Sequence, residues 1–133
     1  MFSTWICALS CKPMRAVKMK SIEKISLVKS ERRAIEKAVR ILNKLTPVEK
    51  IILFGSKSRG DFDKDSDIDL LLITTVQLSW KDEKAIVDTL FDIGLQYDVI
   101  FSPLFVSIDE WEKGMFTSFP IYQEIVRDGA VVR

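Results

Sequence analysis

Two stretches of this chain, Lys50-Ile51-Ile52-Leu53-Phe54 and Asp67-Ile68-Asp69-Leu70-Leu71-Leu72-Ile73-Thr74, set the terms for any fold it can adopt. Successive side chains of a strand point to opposite faces, so a run that is apolar at every position needs cover on both faces. Both stretches therefore read as strands buried in a sheet. The second begins with a conflict. Positions i and i+2 of a strand share a face, which sets the carboxylates of Asp67 and Asp69 side by side. Like charges that close repel each other, and burial makes the repulsion worse. A cation between them removes the difficulty. Oxygen ligands alone favour Mg²⁺ or Mn²⁺ over zinc.

Composition narrows the chemistry. The 133 residues contain no histidine, which removes Ser-His-Asp triads, His general bases and nearly every catalytic zinc site. The charge is unevenly placed: residues 1–50 carry 12 Lys/Arg against 4 Asp/Glu, and residues 51–133 carry 8 against 15. Such asymmetry marks a site for phosphates, metal ions or a charged partner. Cys7 and Cys11 are too few and too close for a disulfide framework, which favours a reducing, cytoplasmic setting. No apolar run approaches the length of a membrane helix, so no membrane partner is expected.

The first 18 residues hold a short apolar patch (Phe2, Trp5, Ile6, Ala8, Leu9) ended by Pro13. They read as an extension, with the folded domain spanning 19–133. A secretory leader is the alternative, but a basic n-region is missing. Helical spacing runs from Ser21 to Leu45, with Lys29, Arg32, Arg33, Lys37, Arg40 and Lys44 on the polar face; Ser30 is an alternative cap for a shorter helix. Ser79 begins a second helix, with Gly94 as its expected stop. Tyr97-Asp98-Val99-Ile100-Phe101 reads as a third strand, which Leu104 to Val106 extend. Short helices follow at Ile108 to Lys113 and Phe119 to Asp128, then a final strand at Ala130 to Val132. The class is α/β (α+β), a mixed sheet with helices packed against it.

The candidate site gathers around the two apolar strands. Gly55-Ser56 closes the first. Glycine allows close approach of the backbone, and a serine hydroxyl with successive N–H groups can cradle phosphate oxygens. Lys57 and Arg59 add positive charge, and Gly60 lets the loop reverse. Asp98 repeats the anomaly of an acid in an apolar run. If its strand lies beside the Asp67 strand, three carboxylates converge, enough for two divalent ions and a triphosphate; a strand-edge acid facing water is the alternative. The series Asp61, Asp63, Asp65, Asp67, Asp69 is not an EF-hand, because Ser66 and Leu72 stand where glycine and glutamate are required. A Walker phosphate loop also fails, since Gly-Lys-Ser/Thr does not follow Gly55 at the required distance.

Gly55-Ser56, ten residues and then Asp67-Ile68-Asp69 resemble the signature of the DNA polymerase beta nucleotidyltransferase superfamily, and most of all its minimal nucleotidyltransferases. The closing segment, Phe119 through Gly129, is similar to theirs as well. The resemblance implies the polymerase-beta-like nucleotidyltransferase fold, a mixed, mostly antiparallel sheet. It implies a two-ion Mg²⁺ site (Mn²⁺ as a substitute) on Asp67, Asp69 and Asp98, with ATP phosphates on Gly55 and Ser56. Larger members add a helical domain for the acceptor, which is not expected within these 133 residues. The resemblance further implies a small helical HEPN-type partner, which the transferase neutralises as an antitoxin, in some pairs by adding AMP to a tyrosine.

Two other functions also fit the sequence. The first is a non-catalytic binding module that neutralises its partner by docking, with the basic helix face and Phe116, Phe119 and Tyr122 as interface or, alternatively, the aromatics as core or satellite packing. The second is a nucleotide-transfer subunit acting on a small molecule such as an aminoglycoside. Direct nucleic-acid binding is not expected, since a solvated basic helix face is the ordinary reading of such charges. Homo- or hetero-oligomers fit either function.

Overall fold

The computed structural model describes residues 19–45, 47–60 and 66–132. The expected extension at 1–18 and the acids Asp61, Asp63 and Asp65 lie outside the described residues. A five-stranded mixed sheet is built from β1 (Lys20–Ser21), β2 (Val48–Phe54), β3 (Ile68–Thr74), β4 (Phe101–Ser107) and β5 (Ala130–Val131), in the order β1-β5-β2-β3-β4. β2 runs antiparallel to β3 and β5, while β3–β4 and β1–β5 are parallel. The sheet is thus evenly divided between the two kinds of pairing rather than mostly antiparallel.

β3 sits inside this order, and Leu70, Leu71, Leu72 and Ile73 are all fully buried. Alternate residues serve two different cores. Ile68, Leu70 and Leu72 pack with Ala34, Ile35, Ala38 and Leu42 of α1 (Lys29–Leu45) and Ile86, Leu90 and Ile93 of α3 (Trp80–Tyr97). Leu71 and Ile73 face the other way, onto Val106, Trp111, Phe116 and Ile125. These last belong to or flank α4 (Ile108–Lys113) and α5 (Pro120–Asp128). Each fully buried Leu or Ile contributes about 1.5–3 kcal/mol. Phe116 lies 6.0 Å from the Trp111 ring and 6.1 Å from Tyr122, so these aromatics are packing. Phe116 and Tyr122 therefore form no open interface, although Phe119 is 46% exposed.

Local signals place most boundaries. The hydroxyls of Ser79 and Ser107 accept from the N–H groups of Asp82 and Glu110, starting α3 and α4. Pro120 takes the first position of α5, where its missing N–H costs nothing. The first helix is the shorter of the two alternatives, because Lys20–Ser21 pairs with β5 and a 3₁₀ turn occupies Ile22–Lys24. Its start is fixed not by Ser30 but by Glu31, which reaches back to accept from the Val28 N–H at 3.1 Å.

The third strand departs from the sequence expectation. α3 does not stop at Gly94 but runs through Tyr97, and Asp98 caps it in the left-handed conformation (φ 58°, ψ 49°). The aspartate takes the role a glycine commonly fills. The strand begins only at Phe101, and it tolerates Pro103 because it is the sheet's edge.

Glu31 has a second role. Its other carboxylate oxygen bonds the Lys57 ammonium, and both side chains are buried. The pair ties α1 to α2 (Ser56–Arg59), the single turn after β2. Removing one member of a buried ion pair costs about 3–5 kcal/mol, whereas exchanging both for apolar groups is often neutral. In urea denaturation, Glu31→Gln should lose about 3 kcal/mol, and Glu31→Leu with Lys57→Met should recover most of it. Equal losses in the single and double variants would contradict this.

Candidate active site

The site lies where β2 ends and β3 and β4 begin. Phe54 stands across from Asp69 in the β2–β3 ladder, which brings the next residue, Gly55, against the Asp69 side chain. A Cβ at Gly55 would lie 2.2 Å from Asp69 Oδ2, and its φ is +78°. Both the contact and the backbone angle require glycine. The turn of α2 follows, closed by the Ser58 and Arg59 N–H groups on Gly55 O and by Gly60 in the left-handed region.

This turn is held from behind. The Ser58 hydroxyl bonds Asp128 O at the end of α5, and Lys20 Nζ donates to Ser58 O at 2.7 Å. Lys57, expected to meet phosphates, instead points into the protein toward Glu31, because that buried carboxylate is its partner. Lys57 is therefore a structural anchor. Arg59 is exposed and near enough to Asp69 to favour its charged form. Gly55, Ser56 and Arg59 remain at the site.

Asp67 and Asp69 precede and enter β3 on the face that continues as Leu71 and Ile73. Burial pushes the Asp69 carboxyl above its ordinary value, the neighbouring Asp67 charge adds to this, and Arg59 partly opposes it. The repulsion expected from the i, i+2 spacing is thus present. Such a pair suits one divalent cation.

Asp98 does not join them. It lines a groove with Leu90, Gly94 and Phe101, residues that belong to or pack against the α1–α3 layer, and the same groove reaches Ser66, the residue before Asp67. Its place as a helix cap, three residues before β4, is the cause. Among the described residues, no group of three His, Cys, Asp or Glu side chains is arranged to hold a metal. The two-ion, three-aspartate site therefore does not fit these residues. In its place is Ser102, which the sequence reading passed over: it pairs with Asp69 in the β3–β4 ladder and donates to Asp67 Oδ2 at 2.8 Å. Moving the strand start to Phe101 would have exposed it.

The raised Asp69 pKa has a sign. The folded chain holds that proton more tightly than the unfolded one, so stability falls as pH rises through the raised value and stays lower above it. With divalent ions chelated, Asp69→Asn should raise Tm at pH 7, and the gain should vanish as pH drops below the carboxylate range. A lower Tm at pH 7, or a gain independent of pH, would contradict the electrostatic account.

Residues 35–123, more than half of the chain, match the nucleotidyltransferase domain family. A Methanocaldococcus jannaschii protein provisionally named protein adenylyltransferase MJ0141 is 33% identical over 72 residues, covering 54% of this chain and 68% of its own. Among solved structures, a toxin–antitoxin with AMP-PNP superposes with a TM-score of 0.54 at 19% identity, over 73% of this chain and 70% of that one. A second solved structure is the tri-AMPylated Shewanella oneidensis HEPN toxin in complex with MNT antitoxin. It gives 0.50 at 18% identity, over 75% and 69%. The structural likenesses confirm the mixed-sheet fold, and the sequence matches give it a family: this chain belongs to the nucleotidyltransferases.

Proposed function

We propose that the chain transfers AMP from ATP to a hydroxyl of a partner protein, and that the partner is a small helical toxin of the HEPN type. The observation that carries this reading is the close approach of Gly55 to Asp69, which sets the Gly55-Ser56 turn beside the paired carboxylates of Asp67 and Asp69. The adenylyltransferase name of the M. jannaschii relative and the AMPylated toxin in the S. oneidensis complex support the acceptor class.

The residues divide the work simply. Gly55 and Ser56 would receive the triphosphate on backbone and hydroxyl, and Arg59 would add charge from the open side. Asp67 and Asp69 would hold Mg²⁺ or Mn²⁺, which supplies charge neutralisation for the phosphates when bound. The acceptor hydroxyl gives its proton to solvent as its oxygen attacks the α-phosphorus in line, a new P–O bond forms, the bond from the α-phosphorus to the bridging oxygen of the β-phosphate breaks, and pyrophosphate leaves. Lys57 and Glu31 keep the turn in place without touching the nucleotide. No histidine is required, in keeping with the composition.

A protein acceptor also has a surface to meet. On α3, Trp80, Val87, Phe91 and Leu95 fall on one stripe at helical spacing and are 70, 41, 65 and 69% exposed. Ile100 continues it, 62% exposed. The groove beside Phe91, Leu95 and Ile100 also reaches Ser66, next to Asp67. This exposed apolar stripe supports reading α3 as the docking face, and a helical partner laid along it would reach the site's edge.

In a labelled-ATP assay with a HEPN-type partner, Asp67→Asn should lower transfer at least about 100-fold while the fold persists. Turnover at the level of the unaltered chain would refute the enzyme. Phe91→Glu should weaken partner binding at least about tenfold in a titration, with ATP affinity unchanged. Unaltered partner affinity would remove α3 as the docking face.

A further inference from the structure

The strand position that faces the acid pair from β4 is not an acid. Asp69 stands across from Ser102, and Leu104 and Val106, two and four residues further, pack in the same layer as Leu71 and Ile73. Alternation along both strands therefore puts Ser102 on the face of Asp67 and Asp69. Its hydroxyl donates to Asp67 Oδ2 at 2.8 Å. The nearest acid in sequence before it, Asp98, caps α3 three residues ahead of β4, and among the described residues it makes no metal-holding group of three with Asp67 and Asp69.

Charge and geometry then decide the stoichiometry. Two adjacent carboxylates balance one divalent cation. A neutral hydroxyl adds no charge for a second, but it fixes the carboxylate it bonds. Hydrogen bonds of this kind hold a ligating oxygen in place, and losing one typically weakens metal binding about 10–100-fold.

We infer that the described residues hold a single divalent cation, on Asp67 and Asp69, with Ser102 acting as the positioning residue for Asp67 where a third carboxylate would otherwise stand. The inference rests on the metal-dependent reading proposed above. It also changes what that reading demands, since any further cation has to arrive with the nucleotide.

The test is Mn²⁺ titration of the full chain without nucleotide, followed by electron paramagnetic resonance. The unaltered chain should bind one Mn²⁺. Ser102→Ala should keep that stoichiometry and weaken affinity about tenfold, with Tm little changed. Ser102→Asp should tighten binding about tenfold, because ligand charge sets divalent-ion affinity; if that variant does not fold, Ser102→Ala alone decides. Asp98→Asn should alter neither number. Indifference of affinity to Ser102→Ala, or two ions of which one is lost with Asp98→Asn, would overturn the inference while leaving the metal reading intact. Absence of any bound Mn²⁺ in the unaltered chain would overturn the metal reading, and this inference with it.

Discussion

Phe54 pairs with Asp69, and from that one step of the β2–β3 register the site follows. The residue after Phe54 must pass directly beside a carboxylate, and only a residue without a side chain can do so. Gly55 then turns the chain into α2, whose carbonyl and hydroxyl at Ser58 are held by Lys20 and the end of α5. The acid pair is costly in the folded chain, as the raised Asp69 carboxyl records. Five buried apolar residues of β3 directly around and beyond Asp69 offset that cost and keep the two aspartates at fixed places. A slip of one residue would carry the pair to the opposite layer and empty the site.

Charge is used in two distinct ways around this turn. Arg59 stays exposed and acts on Asp69 from outside. Lys57, two residues earlier, is buried with Glu31 and links the turn to α1. Glu31 in turn holds the start of α1 through Val28, so one carboxylate joins a helix start to the turn beside the acids. Half of the twelve basic residues among the first fifty, Lys29, Arg32, Arg33, Lys37, Arg40 and Lys44, lie along α1. Among the described residues, the positive charge that the Gly55 turn presents outward is Arg59.

Much of this could be read from residue order. The apolar runs at 50–54 and 67–74 announced β2 and β3, the serines at 79 and 107 announced helix starts, and Gly55-Ser56 with Asp67 and Asp69 announced where the site would be. What failed was the segment from Gly94 to Phe101. Gly94 looks like a helix stop, and Tyr97-Asp98-Val99-Ile100 looks like a strand, because both patterns are local. Gly94 is instead small because the Val99 carbonyl crosses it, where a Cβ would come within 2.4 Å. That is a tertiary contact invisible to spacing, and it moves the helix end to Asp98 and the strand start to Phe101. Lys57 misled for a similar reason: a lysine beside a glycine turn looks like a phosphate ligand until its partner, 26 positions earlier, is known.

The central claim is that the paired aspartates and the Gly55 turn form one nucleotide site. Crystals grown with Mn²⁺ and a non-hydrolysable ATP analogue, measured at the manganese absorption edge, test it most directly. An anomalous peak bridging Asp67 and Asp69 is expected, with the triphosphate lying against Gly55 and Ser56. Nucleotide bound elsewhere, or metal density that leaves these two carboxylates untouched, would contradict it.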